Sequence, residues 1–91
     1  MRFRLARDAD EVAFRAADAR VQVDFAYRQA GLVRRTTARS DDGEWLVIDL
    51  WSSEEDASAC SQVWEDDPVA NEFMSFVDPS TVQVRRYRTL D

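Results

Sequence analysis

The strongest pattern in the chain is a run of large apolar residues, Trp45 to Trp51, that occupies both faces of an extended segment. Successive side chains of a β-strand point to opposite sides of the sheet. One side of this predicted strand carries Leu46, Ile48 and Leu50, and the other carries Trp45, Val47 and Trp51. Because both sides are apolar, the fold has to cover the strand on both faces.

A long helix is predicted before this strand. Asp8 followed by Glu11 forms a capping-box pattern, and Gly31 stands where a glycine commonly ends a helix. The residues between these signals are mostly helix formers, so we predict a helix from about Ala9 to Ala30. Its apolar stripe, at helical spacing, consists of Phe14, Ala17, Val21 and Phe25.

A second helical segment follows the strand directly. Ser53 and Asp56 together predict a helix start, and the helix runs to about Glu65. The pair Asp67-Pro68 restarts it, because aspartate suits the cap position and proline suits the first helical position. This continuation ends near Phe76, so we expect one interrupted helix on this side of the chain.

Four strands are predicted from β-prone segments: Met1 to Ala6, Leu32 to Arg39, Glu44 to Trp51 and Thr81 to Thr89. The turn at 41–43 joins the middle two into a hairpin. The order β-α-β-β-α-β predicts an α+β, ferredoxin-like fold, in which a four-stranded antiparallel sheet carries two helices on one face. All 91 residues form one domain in this interpretation.

Two helices on one face leave the other face of the sheet open. The simplest cover for an open apolar face is the same face of a second copy, so we expect a homodimer through the sheet faces. A symmetric interface of this kind needs no further protein and satisfies both apolar sides of the strand that ends at Trp51.

Composition narrows the chemistry. The net charge of −6 disfavours nucleic acid and anionic membrane surfaces as partners, and no apolar run reaches the ~20 residues of a membrane span. Histidine is absent and all twelve basic residues are arginine, which excludes Schiff-base lysine chemistry and histidine-based nucleophile systems. Cys60 is the single cysteine, and the N-terminus lacks a secretory signal, so we expect a cytoplasmic protein.

Three short motifs resemble one known family. They are Tyr-Arg-Gln-Ala-Gly-Leu at 27–32, Asp-Leu-Trp-Ser-Ser-Glu-Glu-Asp-Ala at 49–57, and Asp-Asp-Pro at 66–68. Together they resemble the antibiotic biosynthesis monooxygenase-like domains of the dimeric α+β barrel superfamily. The resemblance implies a cofactor-independent monooxygenase, without metal, that holds a small aromatic or quinol-like substrate in a pocket between sheet and helices.

The resemblance matches only part of the family's site. Trp51 corresponds to the substrate-contacting tryptophan of the polyketide oxygenases, but the asparagine that accompanies it falls near Val47. The haem-degrading members use an iron-ligating histidine that has no counterpart here, so haem is not an expected cofactor. Gly31 and Leu32 correspond to the Pro-Gly-Phe or Pro-Gly-Leu usual in the family, with Ala30 in place of the proline.

Asp49 and Trp51 are the candidate catalytic residues, with Asp49 as a general base for a phenol or enol proton. The candidate substrate-binding residues are Trp64, Arg34, Arg86 and Tyr27. Each has a structural alternative: the tryptophans can be core residues, and Asp49 can form a buried ion pair with Arg34, Arg35 or Arg86. At the level of the whole protein the alternative to an enzyme is a non-catalytic small-ligand-binding or structural dimer.

Overall fold

A computed structural model describes residues 1–90 of the chain. The fold is α+β, with three helices packed on a three-stranded antiparallel sheet. Two short 3₁₀ turns lie at Ala26–Arg28 and Pro79–Thr81. The strands and helices, in chain order, are β1 (Arg2–Phe3), α1 (Glu11–Asp24), β2 (Leu32–Arg39), β3 (Trp45–Trp51), α2 (Glu54–Trp64) and α3 (Pro68–Met74).

The sheet has the order β1-β3-β2, so β3 is its central strand. The β2–β3 hairpin turns at Gly43, whose φ of 91° is a left-handed conformation that glycine adopts without strain. Its register places Arg35 opposite Asp49, and the pairing shifts by one residue between Leu32 and Arg34, which leaves Val33 as a bulge. The predicted bounds of this hairpin agree closely with the structure.

The predicted four-stranded, two-helix ferredoxin-like fold is wrong for this chain. The segment 81–89, predicted as the last strand, begins in a 3₁₀ turn and afterwards makes one isolated bridge, between Gln83 and Arg2. Its would-be neighbour β1 is only two residues long, because the backbone N–H of Arg4 donates to the Thr81 side chain at 2.9 Å instead of to a strand. β1 and the segment 81–89 therefore offer too few backbone groups to each other for a continuous ladder of hydrogen bonds.

The helices also differ from the sequence-based expectation. The first helix begins after Asp10, which caps it by accepting from the Val12 N–H at 2.9 Å, so the predicted cap at Asp8 is wrong. It ends at Asp24, because Phe25 departs from helical geometry at φ −128°. The second segment is two separate helices, since Asp67 caps α3 as an independent start, with Pro68 at its first position.

The core lies between the helices and the inner face of the sheet. Phe14 of α1 is completely buried, with its ring centroid 4.8 Å from that of Trp45 and 5.1 Å from that of Phe73. Such tilted and edge-to-face pairs are favourable arrangements for aromatic rings. The outer face of β3 has no such cover: Ile48 is 55% exposed and Leu50 is 43% exposed.

Helix α2 sits loosely on this sheet, with no fully buried residue. Cys60 and Trp64 are its side chains that pack partly against the core. Within residues 1–90, no helix combines the length and the apolar character that a membrane crossing requires.

Candidate functional site

A small cavity lies where the end of β3 meets helix α2. Its volume is about 30 Å³, which is the space of one or two water molecules. Asp49 and Trp51 of β3, Cys60 and Trp64 of α2, and Arg35 of β2 face it. The remaining wall is apolar and comes from Val21, Phe25, Ala26 and Leu32. Three of the predicted site residues, Asp49, Trp51 and Trp64, are thus brought together.

Alternation along β3 and helical spacing along α2 explain this convergence. Asp49 and Trp51 are two residues apart on a strand and share the inner face of the sheet. Cys60 and Trp64 are four residues apart on a helix and share one side of it. The indole of Trp64 also packs edge-on against Phe25, at a centroid distance of 5.3 Å, and this contact holds α2 against the core.

Arg35 is the charged centre of the site. Its side chain is only 4% exposed, and its guanidinium makes a close ion pair in which Nη2 donates to Asp18 Oδ1 at 2.8 Å. Nη1 donates to Gln22 Oε1 at 3.0 Å. Asp49 is a more distant partner, with its Oδ1 3.9 Å from Arg35 Nε. The buried positive charge is therefore neutralised mainly by Asp18.

Asp49 carries a perturbed carboxyl group. Burial raises the pKa of Asp49 above its ordinary value, and the attraction of Arg35 and of the N-terminal ammonium only partly offsets that rise. The Met1 ammonium donates to the Val47 carbonyl at 2.7 Å, and burial lowers its pKa. The carboxyl of Asp49 is thus a stronger base than a fully hydrated aspartate.

Cys60 is a poor nucleophile at this site. Burial is the main cause that raises the pKa of the Cys60 thiol, and the negative charge of Asp49 raises it further. The thiolate is the reactive form of cysteine, and here it is disfavoured. Cys60 therefore contributes packing and a weakly polar wall to the cavity.

The other three predicted binding residues lie outside the cavity. Arg34 pairs with Leu50 across the hairpin, which places it on the outer face of the sheet. Arg86 reaches helix α2, where its guanidinium donates to the hydroxyl oxygens of Ser58 and Ser61. The hydroxyl of Tyr27 contacts the backbone of Arg35 at the outer edge of β2.

The sequence-based view of the site missed Asp18 and Gln22. They are four residues apart on α1 and flank the apolar stripe of that helix, so both reach Arg35 from the same side. Polar residues beside an apolar stripe are ordinary on an amphipathic helix, so this spacing alone did not distinguish Asp18 and Gln22 from Arg20 or Asp24. Arg35 itself was named only as one of three possible partners for Asp49.

Metal binding finds no support in the described part of the chain. Across residues 1–90, no three side chains of cysteine, aspartate or glutamate come together as a metal-binding group. The acidic residues Glu54, Glu55 and Asp56 serve the start of α2, where Ser53 and Asp56 also bond to each other at 2.9 Å.

No family model, curated protein or solved structure matches this chain. The chemistry of the cavity therefore rests on its own residues. A carboxyl of raised pKa can take a proton from an acidic O–H or C–H group, and two indole walls can hold a planar molecule. At about 30 Å³, however, the cavity has room for water and not for an aromatic ring.

Proposed function

We propose that the protein is a homodimer, joined through the outer faces of its two sheets, with a binding or structural role rather than turnover. The observation that carries the homodimer is the uncovered apolar centre of β3, and the non-catalytic role rests on the cavity of about 30 Å³, which is too small for an aromatic ring. Ile48 and Leu50 are about half exposed in the middle of the sheet, where apolar side chains are ordinarily covered. A cytoplasmic setting belongs to the same proposal, because the single Cys60 has no second cysteine in the chain to pair with.

The chemistry of the outer face fits a second copy. An apolar strip formed by Leu46, Ile48 and Leu50 runs along its middle, and the charged residues Arg2 and Arg34 lie to its sides. Two such faces can stack with their apolar strips in contact and their charged flanks in water. A stable interface of this type buries on the order of 800 Å² per partner.

The oligomeric state tests this proposal. Sedimentation equilibrium at micromolar concentration should give twice the mass of the chain, and Ile48→Glu should convert the protein to a folded monomer. Val12→Glu is the matched control, since Val12 is an exposed apolar residue on α1, which packs on the inner face of the sheet and not on the outer one. A wild type that stays monomeric at every concentration tested would rule out the homodimer.

A cofactor-independent monooxygenase acting on a small aromatic or quinol-like substrate is the second proposal. The observation that favours it is the basic carboxyl of Asp49 beside the indoles of Trp51 and Trp64. In this scheme Asp49 takes the proton of the substrate, and Trp51, which is only partly buried, moves aside to admit the ring. The resemblance to antibiotic biosynthesis monooxygenase-like domains points the same way and belongs to this proposal.

Oxygen-consumption assays on a panel of hydroquinones and anthrones separate the two proposals. The enzyme proposal expects turnover by the wild type, loss of turnover in Asp49→Asn, and weaker binding and rate in Trp51→Phe. Asp66→Asn is the control, because Asp66 is exposed and outside the cavity. A wild type that is inactive across the panel would leave the non-catalytic dimer.

A further inference from the structure

The outer edge of β2 is the free edge of the sheet. In the order β1-β3-β2, β2 pairs with β3 on one side, and no strand within residues 1–90 pairs with its other side. An eight-residue edge strand offers a row of backbone N–H and C=O groups to any second strand that approaches. Such an edge is a route to uncontrolled self-association.

Two side chains of the same molecule occupy the middle of this edge. The backbone N–H of Arg35 donates to the Tyr27 hydroxyl oxygen at 2.9 Å. The backbone C=O of Arg35 accepts from Gln22 Nε2 at 3.3 Å and from the Tyr27 hydroxyl at 3.5 Å. The Tyr27 oxygen therefore accepts from the Arg35 N–H at an ordinary hydrogen-bond distance, and its O–H faces the Arg35 carbonyl in a long contact.

The position of both side chains follows from the local fold. Tyr27 lies in the 3₁₀ turn Ala26–Arg28 that directly follows α1, and this turn carries its ring to the edge of β2. Gln22 projects from α1 with its Oε1 bound to the Arg35 guanidinium at 3.0 Å, so its amide nitrogen is held facing the Arg35 carbonyl. The buried side chain of Arg35 thus orients the group that covers its own backbone.

We propose that Tyr27 and Gln22 block the free edge of β2 and so prevent a strand of a second copy from pairing with it. An added strand would place its own carbonyl oxygen about 2.9 Å from the Arg35 nitrogen, which is the position that the Tyr27 oxygen holds. The strand would also have to run roughly 4.8 Å from β2, through the space of the Tyr27 ring. Pairing is interrupted at the centre of the edge, and the short stretches on either side are too small for a stable ladder.

This proposal is independent of the homodimer proposed above, because the edge and the outer face of the sheet are different surfaces. The informative variant is Tyr27→Phe combined with Gln22→Met, which keeps the side-chain volumes and removes the hydrogen-bonding groups. The matched control is Tyr87→Phe with Gln62→Met, since both residues are exposed and belong to the C-terminal segment and to α2, and not to the β2 edge. Each pair is made in the wild type and in the Ile48→Glu background, where association through the outer face is suppressed.

Sedimentation velocity over a concentration series is the first measurement. The Tyr27 and Gln22 variant should form species larger than those of its parent, growing with concentration in both backgrounds, while the control pair keeps the parental distribution. Amide hydrogen exchange on dilute protein is the second. The Arg35 amide should exchange about five- to tenfold faster in the single variant Tyr27→Phe, whereas the Val47 amide, bound to the Met1 carbonyl, keeps its protection.

The single variant also decides the question if the double variant does not fold, because Tyr27→Phe removes one oxygen only. Unchanged exchange of the Arg35 amide would show that the Tyr27 hydroxyl does not hold this edge in solution. Faster exchange without larger species would show that the edge is open but not prone to pairing. Either result would overturn the proposal.

Discussion

Replacing Asp18 by asparagine should destabilise the protein far more than replacing Asp49 by asparagine, although both carboxylates face the same guanidinium. Asp18 accepts from Arg35 Nη2 at 2.8 Å and from the Thr37 hydroxyl at 2.9 Å. Asp49 lies 3.9 Å from Arg35 Nε, and its side chain remains 38% exposed. The two substitutions are chemically identical, so their difference reports which acid neutralises Arg35.

The structure sets the expected sizes. Loss of a hydrogen bond to a charged group costs about 1.5–3 kcal/mol, and leaving a buried charge without its partner costs about 3–5 kcal/mol. Asparagine keeps an acceptor oxygen at position 18, so we expect Asp18→Asn to lower the free energy of unfolding by about 3 kcal/mol. For a chain of this size each kcal/mol shifts Tm by about 4–8 °C, so Tm should fall by at least about 12 °C.

Asp49→Asn should behave in the opposite way. A partly exposed ion pair without a hydrogen bond contributes about 0–1 kcal/mol, and the folded state disfavours the ionised form of Asp49. A neutral amide removes that penalty while Arg35 keeps Asp18. We therefore expect Asp49→Asn to be neutral or slightly stabilising, by less than about 1 kcal/mol.

Urea unfolding at pH 7, followed by tryptophan fluorescence and by far-ultraviolet circular dichroism, measures both variants. Asp66→Asn, an exposed aspartate with no role in the network, gives the background effect of the substitution. If Asp49→Asn lost more stability than Asp18→Asn, the assignment of Asp18 as the main partner of Arg35 would be refuted.

Two further predictions follow from the same structure. The pKa of Asp49 in the folded protein lies above its ordinary 3.8, so the folded state binds this proton more tightly than the unfolded chain does. The free energy of unfolding of the wild type, relative to that of Asp49→Asn, should therefore fall as pH rises from 3.8 through the raised pKa and stay constant above it. Urea unfolding of both proteins over a pH series measures this difference. A difference that grows in favour of the wild type as pH rises would contradict the prediction. Gly31→Ala should cost more stability than Gly43→Ala: both glycines have positive φ, but a Cβ at Gly31 would overlap the Asp56 carboxylate, whereas at Gly43 the nearest atom is 3.6 Å away. Thermal unfolding compares the two variants, and the conformational strain at Gly43 should lower the free energy of unfolding by about 1 kcal/mol. Equal losses of stability in the two variants would show that α2 can move away from Gly31.

The parts of the fold that could be predicted are those fixed by neighbouring residues. The β2–β3 hairpin and the starts of α2 and α3 rest on local signals: Gly43 at the turn, and the caps Ser53 and Asp67. The last strand could not be predicted, because its formation depends on a partner of matching length. The alternating apolar pattern of 81–89 is typical of a strand, but β1 provides only Arg2–Phe3, and one isolated bridge results.

The same division applies to the site. Alternation on β3 and helical spacing on α2 were enough to bring Asp49, Trp51 and Trp64 to one cavity. Arg35 could also have been predicted as the partner of Asp49, because a turn centred on Asp42 fixes a register in which the two residues lie opposite each other. What the sequence does not determine is the angle at which α1 crosses the sheet, and that angle delivers Asp18 to the same guanidinium.

Asp18 is the third charged group beside Arg35 and Asp49, and it competes with Asp49 for the guanidinium of Arg35. One guanidinium faces two carboxylates, and the nearer one, Asp18, holds it at hydrogen-bond distance. Asp49 is left with a weaker attraction that does not compensate its burial, and its pKa rises instead of falling. The basicity of Asp49, on which any proton-transfer role depends, therefore comes first from the burial of its carboxyl, and at 3.9 Å the guanidinium of Arg35 offsets that burial only in part.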